Sequence, residues 1–225
     1  MDKNNYHNFN TRGLIYFEKG NFKKSLENFK KSLQIKINYD AYKGLADVFY
    51  KKKEYNRTIK FYKNALNLNL SKRKKVKVEI YFGLAEVFFL KKEFEKAISY
   101  CKKALNSDLD QDERKKVKSF LGSLYFKNKN YKKAKKILSE LYSEGKDYNE
   151  LVKITLIKLY LHEQQFQKAR NIIEIMLNSK ETKNKAKYYL AFYYYCKNEI
   201  NKAKNLIRKY SIDNDPEKLK EKLET

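Results

Sequence analysis

Apolar residues recur along the chain at the three- and four-residue spacing of amphipathic helices, in blocks that resemble one another. The stretch YKGLADVFYKKKEYNRTIKFYKNAL, from Tyr42, aligns without a gap with YFGLAEVFFLKKEFEKAISYCKKAL, from Tyr81. Each block holds two helical patterns separated by a short polar stretch. Related blocks begin at Phe9, Lys118, Lys153 and Lys187. Because such self-similarity is the sequence signature of stacked helix pairs, the pattern predicts six helix-turn-helix repeats.

The blocks share positions at which bulky and small side chains alternate. A mostly small residue in the first helix stands at Gly13, Ala46, Ala85, Gly122 and Ala191, with Ile157 as the exception. A ring follows three residues later at Tyr16, Phe49, Phe88, Tyr125, Tyr160 and Tyr194. The second helix opens with Phe22, Tyr55, Phe94, Tyr131, Phe166 and Ile200 and continues, three residues later, with Ser25, Thr58, Ala97, Ala134, Ala169 and Ala203. Large beside small at helical spacing lets two helices interlock, so each pair is predicted to pack closely.

This template resembles the tetratricopeptide repeat, a helix-turn-helix unit of about 34 residues. The resemblance covers Tyr6 to Tyr210. It implies an all-α fold, a right-handed superhelical solenoid of about six tetratricopeptide-like helix-turn-helix repeats with a short C-terminal capping helix. Two features depart from the family pattern. The usual first-helix tryptophan is replaced by Phe9, Tyr42, Tyr81, Lys118, Lys153 and Lys187, and the proline that usually ends a unit is absent until Pro216.

The predicted units form one continuous solenoid domain. The repeats are expected at 6–38, 39–70, 71–109, 110–146, 147–180 and 181–212, followed by the capping helix at 213–225. Asp110 with Glu113, and Asp147 with Glu150, have the spacing of capping boxes at helix starts. A closing helix is expected because the last repeat of a solenoid has no neighbour to cover its apolar side.

Composition supports the all-α prediction, since one proline and six glycines are few for 225 residues. No apolar run approaches the roughly 20 residues that a membrane helix needs. The start, Met1 to Phe9, lacks the apolar core of a signal peptide, so a cytoplasmic protein without membrane insertion is expected. Cys101 and Cys196 lie far apart within helical patterns and are predicted to be packing residues.

The chain carries no motif that indicates catalysis. His7 and His162 are isolated, and no glycine-rich phosphate loop is present. The carboxylate pairs have no metal-ligand companion or base nearby in the sequence. We therefore expect no enzyme activity, no catalytic residue, no cofactor and no metal site.

The resemblance places the first helices on the inner, concave surface of the solenoid, so we expect partner-binding residues there. They are Asp40, Lys43, Asp47, Tyr50, Glu79, Phe82, Glu86, Phe89, Phe126 and Lys158. Four of them are carboxylates at corresponding positions of the second and third repeats, which would form an acidic strip. Three are rings of an apolar series comprising Phe17, Tyr50, Phe89, Phe126, Leu161 and Tyr195. Two other interpretations are open: the rings pack against the next repeat, and the acids only relieve repulsion on a lysine-rich surface.

The expected function is that of a non-enzymatic protein-protein interaction scaffold or adaptor. It would bind a peptide or partner helix of unknown identity in the concave groove. The alternative is binding of a polyanion such as RNA through Lys-rich faces, because 52 Lys and Arg against 27 Asp and Glu give a net charge of +25. Biased base composition of the genome would produce the same charge. The two functions differ in salt dependence, since phosphate-driven binding collapses as salt rises.

Overall fold

A computed structural model describes residues 5–68, 74–143 and 149–210. Within these ranges the chain is all-α and contains twelve helices and no strand, which confirms the predicted class. The helices are α1 (Asn5–Glu18), α2 (Phe22–Ile35), α3 (Tyr39–Lys51), α4 (Tyr55–Leu66), α5 (Lys74–Leu90), α6 (Phe94–Leu105), α7 (Gln111–Lys127), α8 (Tyr131–Ser143), α9 (Glu150–His162), α10 (Phe166–Leu177), α11 (Lys183–Cys196) and α12 (Ile200–Tyr210). Each predicted repeat contains one successive helix pair. The predicted capping helix at 213–225 lies outside the described residues.

The chain divides into two compact units, unit 1 (Met1–Val117) and unit 2 (Lys118–Thr225), with the division inside α7. None of the helices in the described ranges is both long enough and apolar enough to cross a membrane.

A three-residue turn joins the two helices of each pair, and its second residue is in the left-handed backbone region. That residue is Gly20 in the first repeat and Lys53, Lys92, Lys129, Gln164 and Asn198 in the others. In the first turn the Asn21 N–H donates to the Tyr16 carbonyl at 2.8 Å, and the Gly20 N–H donates to the Phe17 carbonyl at 2.9 Å. These bonds satisfy carbonyl groups at the end of the first helix and reverse the chain direction.

Close helix packing in unit 1 depends on glycines that face large side chains. A Cβ atom on Gly13 would lie 2.7 Å from the ring of Phe29, and one on Gly44 would lie 2.2 Å from it. Phe29 of α2 is fully buried, so its ring fills the space between α1 and α3. Gly83 of α5 faces Tyr62 of α4 in the same way, at 2.8 Å. The close approach predicted at Gly13 is confirmed, whereas the repeat pattern gave no role to the other two glycines.

Unit 2 is built on the same principle with aliphatic side chains. A Cβ atom on Gly122 of α7 would lie 2.5 Å from Leu138 of α8. Ile157, the exception to the small-residue pattern, is fully buried. The small residues of the second helices, Ala134, Ala169 and Ala203, are also fully buried, as the alternation of large and small residues predicts.

Two helix starts are capped by side chains near the predicted boxes. The Glu113 N–H donates to Asp110 Oδ1 at 2.8 Å, and the Asp110 N–H donates to Glu113 Oε2 at 3.2 Å, which confirms that capping box. Asp147 lies outside the described residues. Helix α9 is capped by Asn149, whose side chain accepts from the Leu151 N–H at 3.0 Å.

A cation of the second helix covers a ring of the first helix in every pair. The covered ring lies three residues after the small position, and the cation lies eight residues after the ring. The pairs are Lys24 over Tyr16 at 5.4 Å, Arg57 over Phe49 at 5.2 Å, Lys96 over Phe88 at 5.5 Å, Lys133 over Tyr125 at 5.6 Å, Lys168 over Tyr160 at 5.7 Å and Lys202 over Tyr194 at 5.5 Å, each measured to the ring centroid. Cations at this distance are attracted by the negative face of the ring.

Candidate functional site

Eight of the ten predicted partner-binding residues lie on two first helices of unit 1. Helix α3 carries Asp40, Lys43, Asp47 and Tyr50, and helix α5 carries Glu79, Phe82, Glu86 and Phe89. Within each helix the four residues are spaced by three or four, so they share one side of the helix. An ion pair between Lys43 and Glu79 joins the two helices on this side. We call these eight residues the α3–α5 face.

Lys43 lies between two of the predicted acidic residues. Its Nζ atom is 3.1 Å from Asp47 and 3.4 Å from Glu79. Burial alone would lower the pKa of Lys43, but the two carboxylates outweigh it and raise that pKa above its ordinary value. The lysine therefore stays a cation. It neutralises part of the negative charge of the strip that the sequence predicts as acidic.

Asp47 also accepts a hydrogen bond from a tyrosine of the second helix of its repeat. The Tyr62 hydroxyl on α4 donates to Asp47 Oδ1 at 2.6 Å. Tyr62 is almost fully buried, and burial together with the neighbouring Asp47 carboxylate raises its pKa. The phenol stays protonated and remains a hydrogen-bond donor, so Asp47 is fixed by one bond from Tyr62 and one from Lys43.

Glu86 occupies the position in α5 that Asp47 occupies in α3, but it has no such partners. Its side chain is half-buried, and it makes no hydrogen bond or ion pair to any residue that the structure describes. Burial raises the pKa of Glu86, Lys116 partly offsets this, and Asp47 raises it further. Lys116 itself lies with its Nζ atom 4.9 Å from the centroid of the Phe82 ring. Glu86 is thus a half-buried carboxylate of the α3–α5 face that no described residue neutralises by direct contact.

The predicted ring series packs within its own repeats. Tyr50 lies 6.5 Å from Tyr55 between ring centroids, and Phe89 lies 6.1 Å from Phe94. Both partners are the first residues of the following second helices. Tyr50 and Phe89 are only half-buried, so each keeps part of its ring accessible. The rings are thus both packing residues and surface residues, and each contacts a ring of its own repeat.

The remaining predicted site residues lie in unit 2. Phe126 is 7% exposed and packs against Tyr131 with 5.6 Å between ring centroids, which leaves little of it for a partner. Lys158 on α9 is half-buried, and burial lowers its pKa, with a smaller contribution from the nearby Lys127. Asp40 in unit 1 lies in the first turn of α3, where a carboxylate is favoured by the helix dipole.

Comparisons with known proteins bear on this repeat architecture. The tetratricopeptide repeat family model matches residues 6–36, 78–111 and 116–144. A tetratricopeptide repeat protein from Parabacteroides merdae ATCC 43184 superposes with a TM-score of 0.77 at 16% identity, over 97% of this chain and 85% of that one. PilF of Pseudomonas aeruginosa gives a TM-score of 0.71 at 18% identity, over 91% and 88%. The chain belongs to the tetratricopeptide repeat family.

A third structure in the family has a described ligand site. YrrB, whose structure is described as that of a tetratricopeptide repeat protein with an unusual peptide-binding site, gives a TM-score of 0.60 at 20% identity, over 81% of this chain and 90% of that one. At these identities the likeness is one of fold. A comparison with curated protein sequences gave no match.

Sequence reasoning on this tetratricopeptide repeat protein missed Tyr62, which shapes the α3–α5 face. Tyr62 stands on a second helix, four residues after Thr58, at a place where the next repeat has the buried Cys101. A tyrosine at a buried position needs a partner for its hydroxyl, and that requirement was the available signal. Among the residues described here, no group of three or more His, Cys, Asp and Glu side chains is arranged to hold a metal ion.

Proposed function

We propose that this tetratricopeptide repeat protein is a non-enzymatic binding scaffold that holds a peptide or partner helix on its first helices, with the α3–α5 face as the principal contact. The observation that carries the proposal is the half-buried Glu86, which no described residue contacts as a charge partner, among accessible rings on the same face. A fixed charge beside accessible apolar surface is typical of sites that read a peptide by charge and pocket.

The arrangement of Lys43, Asp47 and Tyr62 supports the same proposal. These side chains are ordered before any ligand arrives, because the hydrogen bond from Tyr62 and the ion pairs of Lys43 fix them. A pre-organised surface loses less side-chain entropy on binding than a mobile one. YrrB, a protein of the same fold, is described as having a peptide-binding site, which shows that the fold can carry one.

Display of short random-sequence peptides against the full chain tests the proposal. At moderate salt we expect selected peptides whose binding is lost in the double variant Tyr50→Leu with Phe89→Leu, because these changes remove the accessible rings and keep apolar bulk. Ile175→Ala is the matched control, since Ile175 is a 50% exposed apolar residue on a second helix. Selected peptides that bind the double variant as well as the original chain would show that the α3–α5 face is not the site.

RNA binding is the competing function, and a salt titration separates the two. Exposed lysines such as Lys132 and Lys136 on α8 give a polyanion a surface to bind. A labelled random-sequence RNA that binds tightly and loses affinity about a thousandfold or more between low and physiological salt would favour this alternative and contradict the scaffold proposal. Peptide binding on the α3–α5 face should persist over the same range, because close and partly buried pairs are screened less.

A further inference from the structure

The α3–α5 face differs from the rest of the chain in its charge. Its four carboxylates, Asp40, Asp47, Glu79 and Glu86, exceed its own Lys43 and the adjacent Lys116 by two negative charges, four minus two, in a protein whose net charge is +25. Lys43 is engaged with Asp47 and Glu79. Asp40 and Glu86 have no hydrogen bond or ion pair within the described part of the chain, so the surplus lies at these two carboxylates. Of the two, Glu86 is the one that influences Tyr50.

The ring of Tyr50 also bears on which kind of ligand group would bind beside Glu86. In each repeat a cation of the second helix covers the ring that lies three residues after the small position, at 5.2 to 5.7 Å. On the α3–α5 face itself, Lys116 covers the Phe82 ring at 4.9 Å. Over the Tyr50 ring, by contrast, no lysine or arginine of the described residues is placed. Lys43 pairs with Glu79, and Tyr50 and Glu86 each follow seven residues later on their helices, which places Tyr50 opposite Glu86. Burial, and then the Glu86 carboxylate, raise the pKa of the Tyr50 hydroxyl. An uncovered, half-buried ring beside an unneutralised carboxylate is a combination that favours a cation supplied from outside.

We propose that the α3–α5 face takes an arginine side chain of a partner segment, whose guanidinium pairs with Glu86 and stacks on Tyr50 while flanking apolar residues contact Phe89. This inference rests on the proposed function and names the chemistry of its ligand. Arginine fits better than lysine because its planar group can stack on a ring and donate to a carboxylate at the same time. Apolar residues are expected on either side of this arginine in the partner segment, because part of the Phe89 ring is accessible for them to contact.

Because the protein has an overall positive charge, its affinity for a basic segment depends on the salt concentration. At low ionic strength the +25 chain repels a basic segment, whereas at about 0.15 M salt the screening length falls to about 8 Å and the local charge of the face decides. Asp47 lies near enough to Glu86 to raise its pKa, so the guanidinium would also be attracted by a second carboxylate that Tyr62 and Lys43 hold in place.

Two pools of short, N-acetylated and C-amidated peptides test the inference at about 0.15 M salt. Each pool has randomised apolar and small residues around one fixed central residue, which is arginine in the first pool and citrulline, its neutral isostere, in the second. We expect the full chain to bind the arginine pool about tenfold or more tightly than the citrulline pool, since a charge-assisted hydrogen bond is worth that much. Glu86→Gln should lower this ratio several-fold, and the part that remains is the contribution of Asp47 and the Tyr50 ring.

The control is Glu27→Gln, which removes the same charge from an exposed residue on α2 of the same unit. It should leave the preference for arginine unchanged. An equal loss in the two glutamine variants would overturn the inference, because overall charge would then explain the preference. Equal binding of the two pools would overturn it as well, while leaving peptide binding intact. If neither pool binds, the proposed function fails together with the inference.

Discussion

The Nζ atom of Lys24 lies 5.4 Å from the centroid of the Tyr16 ring, and a cation and a ring at the same spacing along the chain meet in all six helix pairs. The ring is on the first helix and the cation on the second, so each contact ties the two helices of one pair together. Six of the 52 Lys and Arg residues therefore have a structural role within their own repeat. The basic composition of this protein is explained in part by its fold, independently of any polyanion.

This role predicts that Lys24→Met destabilises the protein. Methionine keeps the apolar stem of lysine and removes only the charge, and a cation over a ring at an exposed site is worth about 0.5–1 kcal/mol. Lys23→Met is the matched control, because Lys23 is the exposed neighbour in the same helical turn. The comparison is made by urea unfolding followed by circular dichroism. Equal losses of unfolding free energy in the two variants would show that the ring contact contributes nothing.

The glycines make a second prediction, in which two alanine substitutions destabilise for different reasons. Gly20 has a φ of +72° and no atom within 4 Å of an added Cβ, so Gly20→Ala costs backbone strain of about 1 kcal/mol. Gly44 is helical and faces the buried Phe29 ring at 2.2 Å, so Gly44→Ala forces α3 away from α2 and costs about 1–3 kcal/mol or more.

The double variant Gly44→Ala with Phe29→Leu distinguishes the two causes. Leucine frees space beside residue 44, so the added methyl group should cost less in the Phe29→Leu background than in the original chain. The same background should not change the cost of Gly20→Ala. Thermal and urea unfolding midpoints of the single and double variants measure both effects, and additive losses at residues 44 and 29 would show that the ring does not set the requirement for glycine.

The sequence was sufficient to predict the fold because the repeat supplies each signal six times. The small position of Gly13, the ring of Tyr16 and the capping box of Asp110 are local features, and local features follow from spacing alone. Gly44 and Gly83 were not predicted, because their requirement comes from Phe29 and Tyr62 in the preceding repeat. Contacts between repeats depend on which side chain a neighbour presents, and periodicity does not contain that information.

The candidate site was predicted only in part, for a related reason. The positions of Asp47 and Glu86 follow from helical periodicity and family resemblance, so sequence reasoning places both on one face. It did not show that Lys43 and Tyr62 neutralise and fix Asp47 while Glu86 is left without a direct partner. Charge pairing depends on the lengths and directions of side chains from three helices, and these are visible only in three dimensions.

The hydrogen bond between Tyr62 and Asp47 gives a third prediction, with a distinct pH dependence. Tyr62→Phe removes a donor to a carboxylate and should cost about 1–2 kcal/mol at neutral pH. Since the folded state raises the pKa of Tyr62, the stabilisation it gives is complete below the ordinary pKa of 10.0 and is lost as pH rises above that value. The variant should therefore lose less stability than the original chain between neutral and strongly alkaline pH.

Urea midpoints of the two proteins across that alkaline range measure the effect. Tyr16→Phe is a suitable comparison, because it keeps the ring and removes a hydroxyl from a partly exposed residue on α1. Parallel stability curves for the original chain and Tyr62→Phe above the ordinary tyrosine pKa would mean that the Tyr62 hydroxyl is not held by Asp47.

Glu86 makes the fourth prediction, since its ionised form costs stability in the folded state. Burial raises its pKa above the ordinary 4.5, so the folded protein favours the protonated carboxyl. The cost of ionising Glu86 is absent below pH 4.5, where the group is protonated in the folded and unfolded chains, and is complete once pH has risen through the higher folded pKa. Glu86→Gln should therefore be more stable than the original chain at neutral pH, with the difference shrinking towards zero in acid.

Glu27→Gln should show no comparable gain, because Glu27 is exposed. A carboxylate that weakens the fold and also decides arginine binding would be a residue kept for function at the expense of stability. A neutral-pH loss of stability in Glu86→Gln would instead show that Glu86 serves the fold.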